Sequence, residues 1–286
     1  MKILFIADTH FGGKNLSGFQ QQPRYPEQIE ELLSALDKVI KEEAIELVIH
    51  GGDLTDNSTP IEITRSVQMY QRYISCPVIL ALGNHDCMDK DCAKNWLQYG
   101  SYFFPSNALD TTIVYDNIRI DVLSIPWGEK EYYWKERLLP HITEDQLDRL
   151  SQGQQDIPRI IVMHPTIRAV NKAYVPENTT IHLPCNNFDK VGDYLIEKFN
   201  PVMILGGHSH INQLDQINDT MAITASSLVE TPFECKVIEI TNNKATMKTV
   251  SLQDKLSFTG NYNLKDKYVQ GTKKEREFEK ILPSNK

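Results

Sequence analysis

The stretch Gly83-Asn84-His85-Asp86 places an amide, an imidazole and a carboxylate side by side, directly after an apolar run over residues 77–82. The packing of a buried strand does not require these three polar residues in succession. A metal-assisted phosphoester hydrolase does use them, with Asn84 as an oxygen ligand, His85 as an acid beside the reacting phosphate and a carboxylate that stabilises the site. The stretch predicts that partner residues elsewhere in the chain complete such a centre.

Polar clusters follow four more apolar runs that read as strands: Asp8-Thr9-His10, Gly52-Asp53, His164 and Gly207-His208-Ser209-His210. Each motif is weak by itself, because Gly-Asp turns and lone histidines are common at strand ends. In open α/β sheets, however, ligands bind beyond the carboxyl ends of the strands. Clusters that are distant in sequence can therefore meet in space, and five of them in this order favour one shared site.

The donor types in these clusters indicate hard to borderline divalent ions, since they comprise carboxylates, imidazoles and one amide oxygen without a thiolate. Two such ions set about 3.5–4 Å apart hold both oxygens of an in-line displacement at phosphorus and lower the pKa of a bound water. One carboxylate would bridge them, and a protonated histidine would assist the leaving alkoxide. We expect two divalent metal ions, Mn²⁺ first, with iron or zinc as alternatives.

The elements that must position these residues alternate between strand and helix in the first third of the chain. Apolar runs at 2–7, 45–50 and 77–82 predict buried strands, and apolar residues at helical spacing predict helices begun by Pro26 and Pro60. This order predicts a parallel sheet with right-handed crossovers. Residues 111–125 predict a hairpin, and residues 143–151 predict a helix that begins with a capping box. Residues 159–163 and 201–205 predict two more buried strands, with a helix over 187–199 between them. Residues 211–250 predict a β-rich region.

Length and composition fit one globular domain over residues 1–250 and a polar C-terminal tail or short extension over 251–286, with a short helix expected at 272–282. The net charge of −8 argues against an extended basic surface for nucleic acid but leaves a local groove open. The apolar run at 2–7 is too short for a signal peptide, and no apolar stretch has the length of a membrane span. With five cysteines and no Cys-x-x-Cys pair, a cytoplasmic protein without membrane contact is expected.

Taken together, the five motifs resemble the calcineurin-like metallophosphoesterase superfamily over roughly residues 1–250. The resemblance implies an α/β fold, a four-layer αββα sandwich of two mixed sheets flanked by helices. It implies that one metal ion is bound by Asp8, His10 and His210, that the other is bound by Asn84, His164 and His208, and that Asp53 bridges them. His85 becomes the general acid, oriented by Asp56 or, as the alternative, by Asp86.

Different segments of the chain resemble two groups of that superfamily, which act on different substrates. Segments 52–60, 142–147 and 231–240 resemble the bacterial class III cyclic-nucleotide phosphodiesterases, whereas residues 7–13 are similar to the opening of the Mre11/SbcD exonucleases. Residues 225–228 lack the Pro-Gly-Ser turn of that nuclease group. We expect a phosphodiesterase that hydrolyses a small phosphoester or nucleotide-type substrate by attack of metal-bound hydroxide. The alternatives are an Mre11/SbcD-like nuclease acting on nucleic acid and, less favoured, a non-catalytic metal-binding scaffold.

Contacts to the substrate are less well defined by sequence. The aromatic stretch 127–134 and Tyr174 are candidates to stack a base, and Arg24 and Arg168 are candidates to meet phosphate. The competing interpretation is that the aromatic residues pack over the rim of the sandwich or in a homodimer interface, and that the arginines face solvent.

Overall fold

The computed structural model describes residues 1–15, 21–115, 118–127, 139–170, 175, 188–241 and 243–282. The first half of the fold is the expected parallel unit. Its elements are β1 (Lys2–Ile6), α1 (Ile29–Glu43), β2 (Leu47–His50), α2 (Pro60–Tyr73) and β3 (Val78–Leu80). β2 lies between β1 and β3 and is parallel to both. The carboxyl ends of all three strands therefore meet at one edge of the sheet.

The second sheet is built by the middle of the chain. Its elements, with the flanking helices, are α3 (Cys92–Tyr99), β4 (Thr111–Tyr115), β5 (Ile118–Val122), α4 (Glu144–Ser151), β6 (Arg159–Val162), α5 (Phe188–Phe199), β7 (Met203–Gly206), β8 (Gln213–Ile217) and β9 (Thr220–Thr224). The strand order is β4-β5-β6-β7-β9-β8, with β5, β6, β7 and β9 parallel and an antiparallel strand at each edge. The expected hairpin of β4 and β5 is present, although its turn at 116–117 lies outside the described residues.

The C-terminal segments return to the first sheet. They are β10 (Glu234–Ile240), β11 (Lys244–Ser251), α6 (Lys273–Arg276) and β12 (Glu277–Ile281), and they give the order β12-β11-β10-β1-β2-β3. The expected helix over 272–282 is wrong, because only its first residues are helical. Residues 277–281 pair with β11, which would otherwise expose a row of unpaired backbone groups, and Phe278 packs against the core between the sheets.

The alternation of side chains along β1 explains the four layers. Ile3 and Phe5 face the core between the two sheets, together with residues such as Val162 of β6, while Leu4 and Ile6 face α1 on the outside. A third apolar cluster joins the outer face of the second sheet to α4 and α5. The predicted αββα sandwich of two mixed sheets is confirmed.

Helices α2 and α4 begin where the sequence predicts, whereas Pro26 opens a 3₁₀ turn over Pro26–Gln28 and α1 begins at Ile29. Thr59 caps α2 and Thr143 caps α4, and each belongs to a complete capping box, with Glu62 and Gln146 respectively. Among the described residues, none of the helices has the length and apolarity that crossing a lipid bilayer demands.

Candidate metal centre

The two sheets place five strand ends opposite one another, and all five predicted clusters lie there. Backbone hydrogen bonds fix the relative positions of the loops: Asp8 N donates to Gly52 O at 2.9 Å, and His10 N donates to Asp53 O at 3.0 Å. The connection after β7 is held in the same way to the end of β6. Chain segments 200 residues apart therefore meet in one buried site.

The first group of donor atoms comes from the ends of β1 and β7. His210 Nε2 lies 3.3 Å from Asp8 Oδ1 and 3.3 Å from His10 Nε2. The three side chains are almost fully buried, and their donor atoms all lie within 4.8 Å of one another. Two imidazoles and a carboxylate that converge in this way can hold a divalent cation.

The second group of donor atoms comes from β2, β3, β6 and β7. His164 Nε2 lies 3.3 Å from Asp53 Oδ2, and His208 Nδ1 lies 2.9 Å from Asn84 Oδ1. Asp53 also approaches the first group, since its Oδ2 is 3.9 Å from His10 Nε2. Asp53 thus stands between the two groups, where a bridging ligand would have to be.

The chemistry of these donors fits two divalent ions better than a network of hydrogen bonds. His10 Nε2 and His210 Nε2 face each other, and a hydrogen bond between them can satisfy only one proton position. His164 Nε2 is buried without a hydrogen-bond partner among the described residues, although Asp53 lies close by. A buried imidazole nitrogen that lacks a hydrogen-bond partner among the described residues, beside a carboxylate and other converging nitrogen and oxygen donors, fits a ligand to a divalent ion.

The backbone of the ligand loops is held in an unusual conformation. Asp8, His10, Asp53, His208 and His210 all have positive φ angles, between 43° and 69°. This left-handed region is disfavoured for residues with a Cβ atom, and such strain persists only where the surrounding structure enforces it. The sharp turn after each strand directs the side chains back into the shared site.

A glycine at position 83 allows two of the ligand loops to approach each other closely. A Cβ atom on Gly83 would collide with the Asp53 carboxylate and with Asp53 N. The backbone of the Gly83-Asn84-His85-Asp86 stretch can therefore approach the candidate bridging residue closely, and His85 N donates to Asp53 Oδ1 at 2.8 Å. The absence of a side chain at Gly83 therefore lets the donor residues of this stretch lie next to Asp53.

The pKa values of the four histidines in the ligand groups separate into two classes. Burial lowers the pKa of His10 to about 4 and that of His208 to about 3. For His164 and His210 burial acts in the same direction, but neighbouring carboxylates outweigh it and raise the pKa to about 9 and about 10. The carboxylates are Asp53 for His164, and Glu230 and Asp8 for His210.

His85 is buried but retains 8% exposure, whereas the ligand candidates His10 and His164 are fully buried. Its Nδ1 lies 2.9 Å from the backbone carbonyl of Asp56, whereas the Asp56 carboxylate is 3.8 Å away. That carboxylate lies nearer to His10 Nδ1, at 3.1 Å. Asp56 therefore contacts both histidines, through different atoms.

Asp86, the alternative partner of His85, occupies a different place. Its carboxylate accepts hydrogen bonds from the backbone N–H groups of Leu54, Thr55 and Gly83 and from the Thr55 hydroxyl. Burial and the nearby Asp53 raise the pKa of Asp86 to about 6. Asp86 ties the loops after β2 and β3 together, and the geometry favours Asp56 over Asp86 as the residue that orients His85.

Other predicted contacts have different outcomes. Trp127 is fully buried, and its ring centroid lies 5.4 Å from that of His208, so this residue packs against a ligand candidate. Arg24 pairs with Asp56 and Arg168 pairs with Asp193. Residues 128–134 and Tyr174 lie outside the described residues.

The sequence analysis missed Glu230, whose Oε1 lies 2.6 Å from His210 Nδ1. The available signal is a single acidic residue between Leu228-Val229 and Thr231-Pro232-Phe233, which predicts a buried carboxylate but not its partner.

A four-layer sandwich with two converging ligand groups at its strand ends defines a metal-dependent hydrolase of the binuclear kind. The family model for calcineurin-like phosphoesterases matches residues 1–212. The chain belongs to that family, as the motifs predict.

Particular relatives resemble parts of the chain. One component of the nuclease SbcCD of Bacillus subtilis is 30% identical over 106 residues, which are 35% of this chain and 25% of that protein. The DNA double-strand break repair protein Mre11 of Saccharolobus solfataricus is 25% identical over 139 residues, which are 47% of this chain and 31% of that protein. The chain thus spans about a third or less of the length of these curated relatives.

A solved structure supports the fold over most of the chain. A dimetal phosphatase from Danio rerio superposes with a TM-score of 0.66 and 15% identity, covering 88% of this chain and 96% of that one. At this level of identity the likeness establishes the shared architecture alone.

Proposed function

We propose that this metallophosphoesterase is a di-metal phosphodiesterase that acts on a nucleotide-type substrate. The observation that carries the proposal is the convergence of seven donor side chains, six of them in two groups on either side of the seventh, Asp53. The donors are Asp8, His10, Asp53, Asn84, His164, His208 and His210.

In this proposal Asp8, His10 and His210 would hold one ion, Asn84, His164 and His208 would hold the other, and Asp53 would be shared between them. The donor set of nitrogen and oxygen atoms permits Mn²⁺, iron or zinc, and Mn²⁺ is the ion we propose. When bound, two such ions activate a water molecule as nucleophile and neutralise charge on the phosphoryl oxygens. The role of the protein is to hold the donors, exclude bulk water and deliver a proton.

His85 delivers that proton. Its Nδ1–H donates to the Asp56 carbonyl, which sets the ring orientation and leaves Nε2 as the nitrogen that carries the transferable proton. Its ring packs edge-on against that of His10, with centroids 4.7 Å apart, so the acid is next to the candidate metal ligands. From there the Nε2 proton can pass to the leaving oxygen as the ester bond breaks.

Among the described residues, the pairing of the two candidate phosphate-binding arginines agrees with a diester substrate. The two arginines considered as phosphate ligands, Arg24 and Arg168, are both paired with carboxylates. A monoester dianion carries more negative charge for the protein to stabilise than a diester monoanion does. The resemblance of segments 52–60, 142–147 and 231–240 to cyclic-nucleotide phosphodiesterases agrees with this choice.

A DNA nuclease is the second candidate, and the relatives from the nuclease SbcCD and the repair protein Mre11 favour it. Both candidates cleave phosphodiesters and would use the same residues, so they differ in the size of the substrate. The complete donor set disfavours a scaffold that has lost catalysis.

A parallel assay of the Mn²⁺-loaded protein tests these alternatives. Its substrates are a bis-aryl phosphate, cyclic nucleotides, and single-stranded and duplex DNA, with Asp53→Asn and His85→Asn as controls. We expect diester hydrolysis that Asp53→Asn loses for every substrate and that His85→Asn loses for the nucleotide and DNA substrates, whose leaving groups need a proton. Turnover of cyclic nucleotides without DNA cleavage supports the first candidate, and DNA cleavage alone supports the second. If no ester is hydrolysed, the proposal is refuted.

A further inference from the structure

We infer that Glu230 is a positioning residue, which orients His210 for metal binding and sets the affinity of the ion held by Asp8, His10 and His210. The inference rests on the ligand assignment proposed above and extends it to a residue outside the five motifs. Glu230 also lies beyond residues 1–212, the part of the chain that the family model matches.

The geometry of the pair is that of a metal ligand with a supporting carboxylate. Glu230 Oε1 lies 2.6 Å from His210 Nδ1, and Glu230 is 2% exposed. On the opposite side of the ring, His210 Nε2 lies 3.3 Å from Asp8 Oδ1. With Nδ1–H donating to Glu230, Nε2 becomes the donor atom for the ion. A carboxylate partner fixes this tautomer and increases the basicity of the ligand.

The Glu230 carboxylate is itself held in place. Its Oε2 accepts a hydrogen bond from Gln22 N at 3.2 Å. The backbone on either side of Glu230 pairs with residues 23–25, since Tyr25 N donates to Val229 O and Thr231 N donates to Pro23 O. The Glu230 carboxylate thus approaches His210 from a segment whose position is fixed by hydrogen bonds within the protein.

The two ligand groups differ in this kind of support. In the first group both histidines have carboxylate partners, because His10 Nδ1 contacts the Asp56 carboxylate and His210 contacts Glu230. In the second group His164 Nδ1 contacts a neutral acceptor, the Gly51 carbonyl, at 2.8 Å. Hydrogen bonds to ionised acceptors are the stronger ones. Because Glu230 contacts His210, a ligand candidate of the first group, its loss should lower the affinity for the first ion more than the affinity for the second.

The test is a Mn²⁺ titration of metal-stripped protein, with free ion counted by electron paramagnetic resonance. The variants are Glu230→Ala, which removes the acceptor, and Glu230→Gln, which keeps an acceptor oxygen without the charge. Glu234→Gln is the matched control, because Glu234 is equally buried four residues away and contacts Asn212 and Arg276. Circular dichroism and the Tm of the metal-free proteins verify folding.

For the wild type we expect two bound ions. In Glu230→Ala one of them should bind about 10–100-fold more weakly, the usual effect of losing such a partner. Glu230→Gln should lose less, and Glu234→Gln should bind as the wild type does. The inference is overturned if Glu230→Ala keeps both affinities, if both ions weaken equally, or if Glu234→Gln shows the same loss. A wild-type protein that binds no ion would instead refute the ligand assignment, and the inference with it.

Discussion

Metal binding to this centre should release protons, and the pKa values of its histidines give the number. In the metal-free protein His164 and His210 have pKa values of about 9 and about 10, so both rings are protonated at pH 7. His10 and His208, with pKa values of about 4 and about 3, are neutral there. An ion binds only the deprotonated ring nitrogen. Each ion should therefore expel about one proton, from His210 in one group and His164 in the other.

The sign and size of the pH dependence follow from this count. Both pKa values lie above the working range, so raising the pH from 7 to 8 lowers the cost of deprotonation. The apparent affinity for each ion should increase about tenfold, which is about 1.4 kcal/mol. The effect should level off only as the pH approaches the pKa of the ring concerned.

Isothermal titration calorimetry with Mn²⁺ in PIPES and in Tris at one pH measures the released protons, because the two buffers differ in ionisation enthalpy. The histidines should contribute about two protons in the wild type and about one in His164→Asn at saturation of the remaining ion, in addition to any proton that metal-bound water releases. Binding heats that do not depend on the buffer, together with an affinity that does not change between pH 7 and pH 8, would refute the reasoning.

Three further predictions concern the Gly83-Asn84-His85-Asp86 stretch. For His85→Asn we expect kcat to fall about 10²–10⁴-fold with substrates that have an alkoxide leaving group. The loss should be far smaller with nitrophenolate, because this leaving group departs without a proton. Equal losses with the two kinds of substrate would contradict the acid role of His85. For Gly83→Ala, the new Cβ displaces the Asp53 carboxylate, so metal content measured by mass spectrometry should fall, and full occupancy by two ions would contradict the prediction. In Asp86→Asn, an amide N–H₂ replaces a carboxylate oxygen that accepts hydrogen bonds from backbone N–H groups. The free energy of unfolding in urea should therefore fall by about 1–3 kcal/mol. An unchanged midpoint of urea unfolding would show that the hydrogen bonds to Asp86 do not stabilise the fold.

Much of the fold was predictable, because local pattern and tertiary structure agree in the first half of the chain. The apolar runs that became β1, β2 and β3 are buried on both faces, and Pro60 and Thr59 begin α2 by local chemistry alone. β12 was not predictable in this way. Its residues follow a short helical turn and form a strand only because β11 offers an edge to pair with.

The residues of the candidate site also differ in whether the sequence predicts them. Donor residues at strand ends can be recognised from sequence, since a polar cluster after a buried run has no role in packing. Supporting contacts carry no such pattern: Glu230 lies 20 residues from His210, and Trp127 reaches His208 from the end of another strand. Asp56 was predicted as the partner of His85, but not that its carbonyl would make the closer contact.

The sequence by itself determined the class of chemistry, because the donor types and their place after apolar runs are local properties of the chain. It also determined the strand and helix order that brings parallel strands to a common edge. Only the tertiary structure decided which donors share a group and which carboxylate supports which histidine. Those pairings depend on the order and packing of the two sheets, which bring Asp8 and Gly83-Asn84-His85-Asp86 against residues 208–210. Distances between segments 100 to 200 residues apart are not encoded at any one position of the chain.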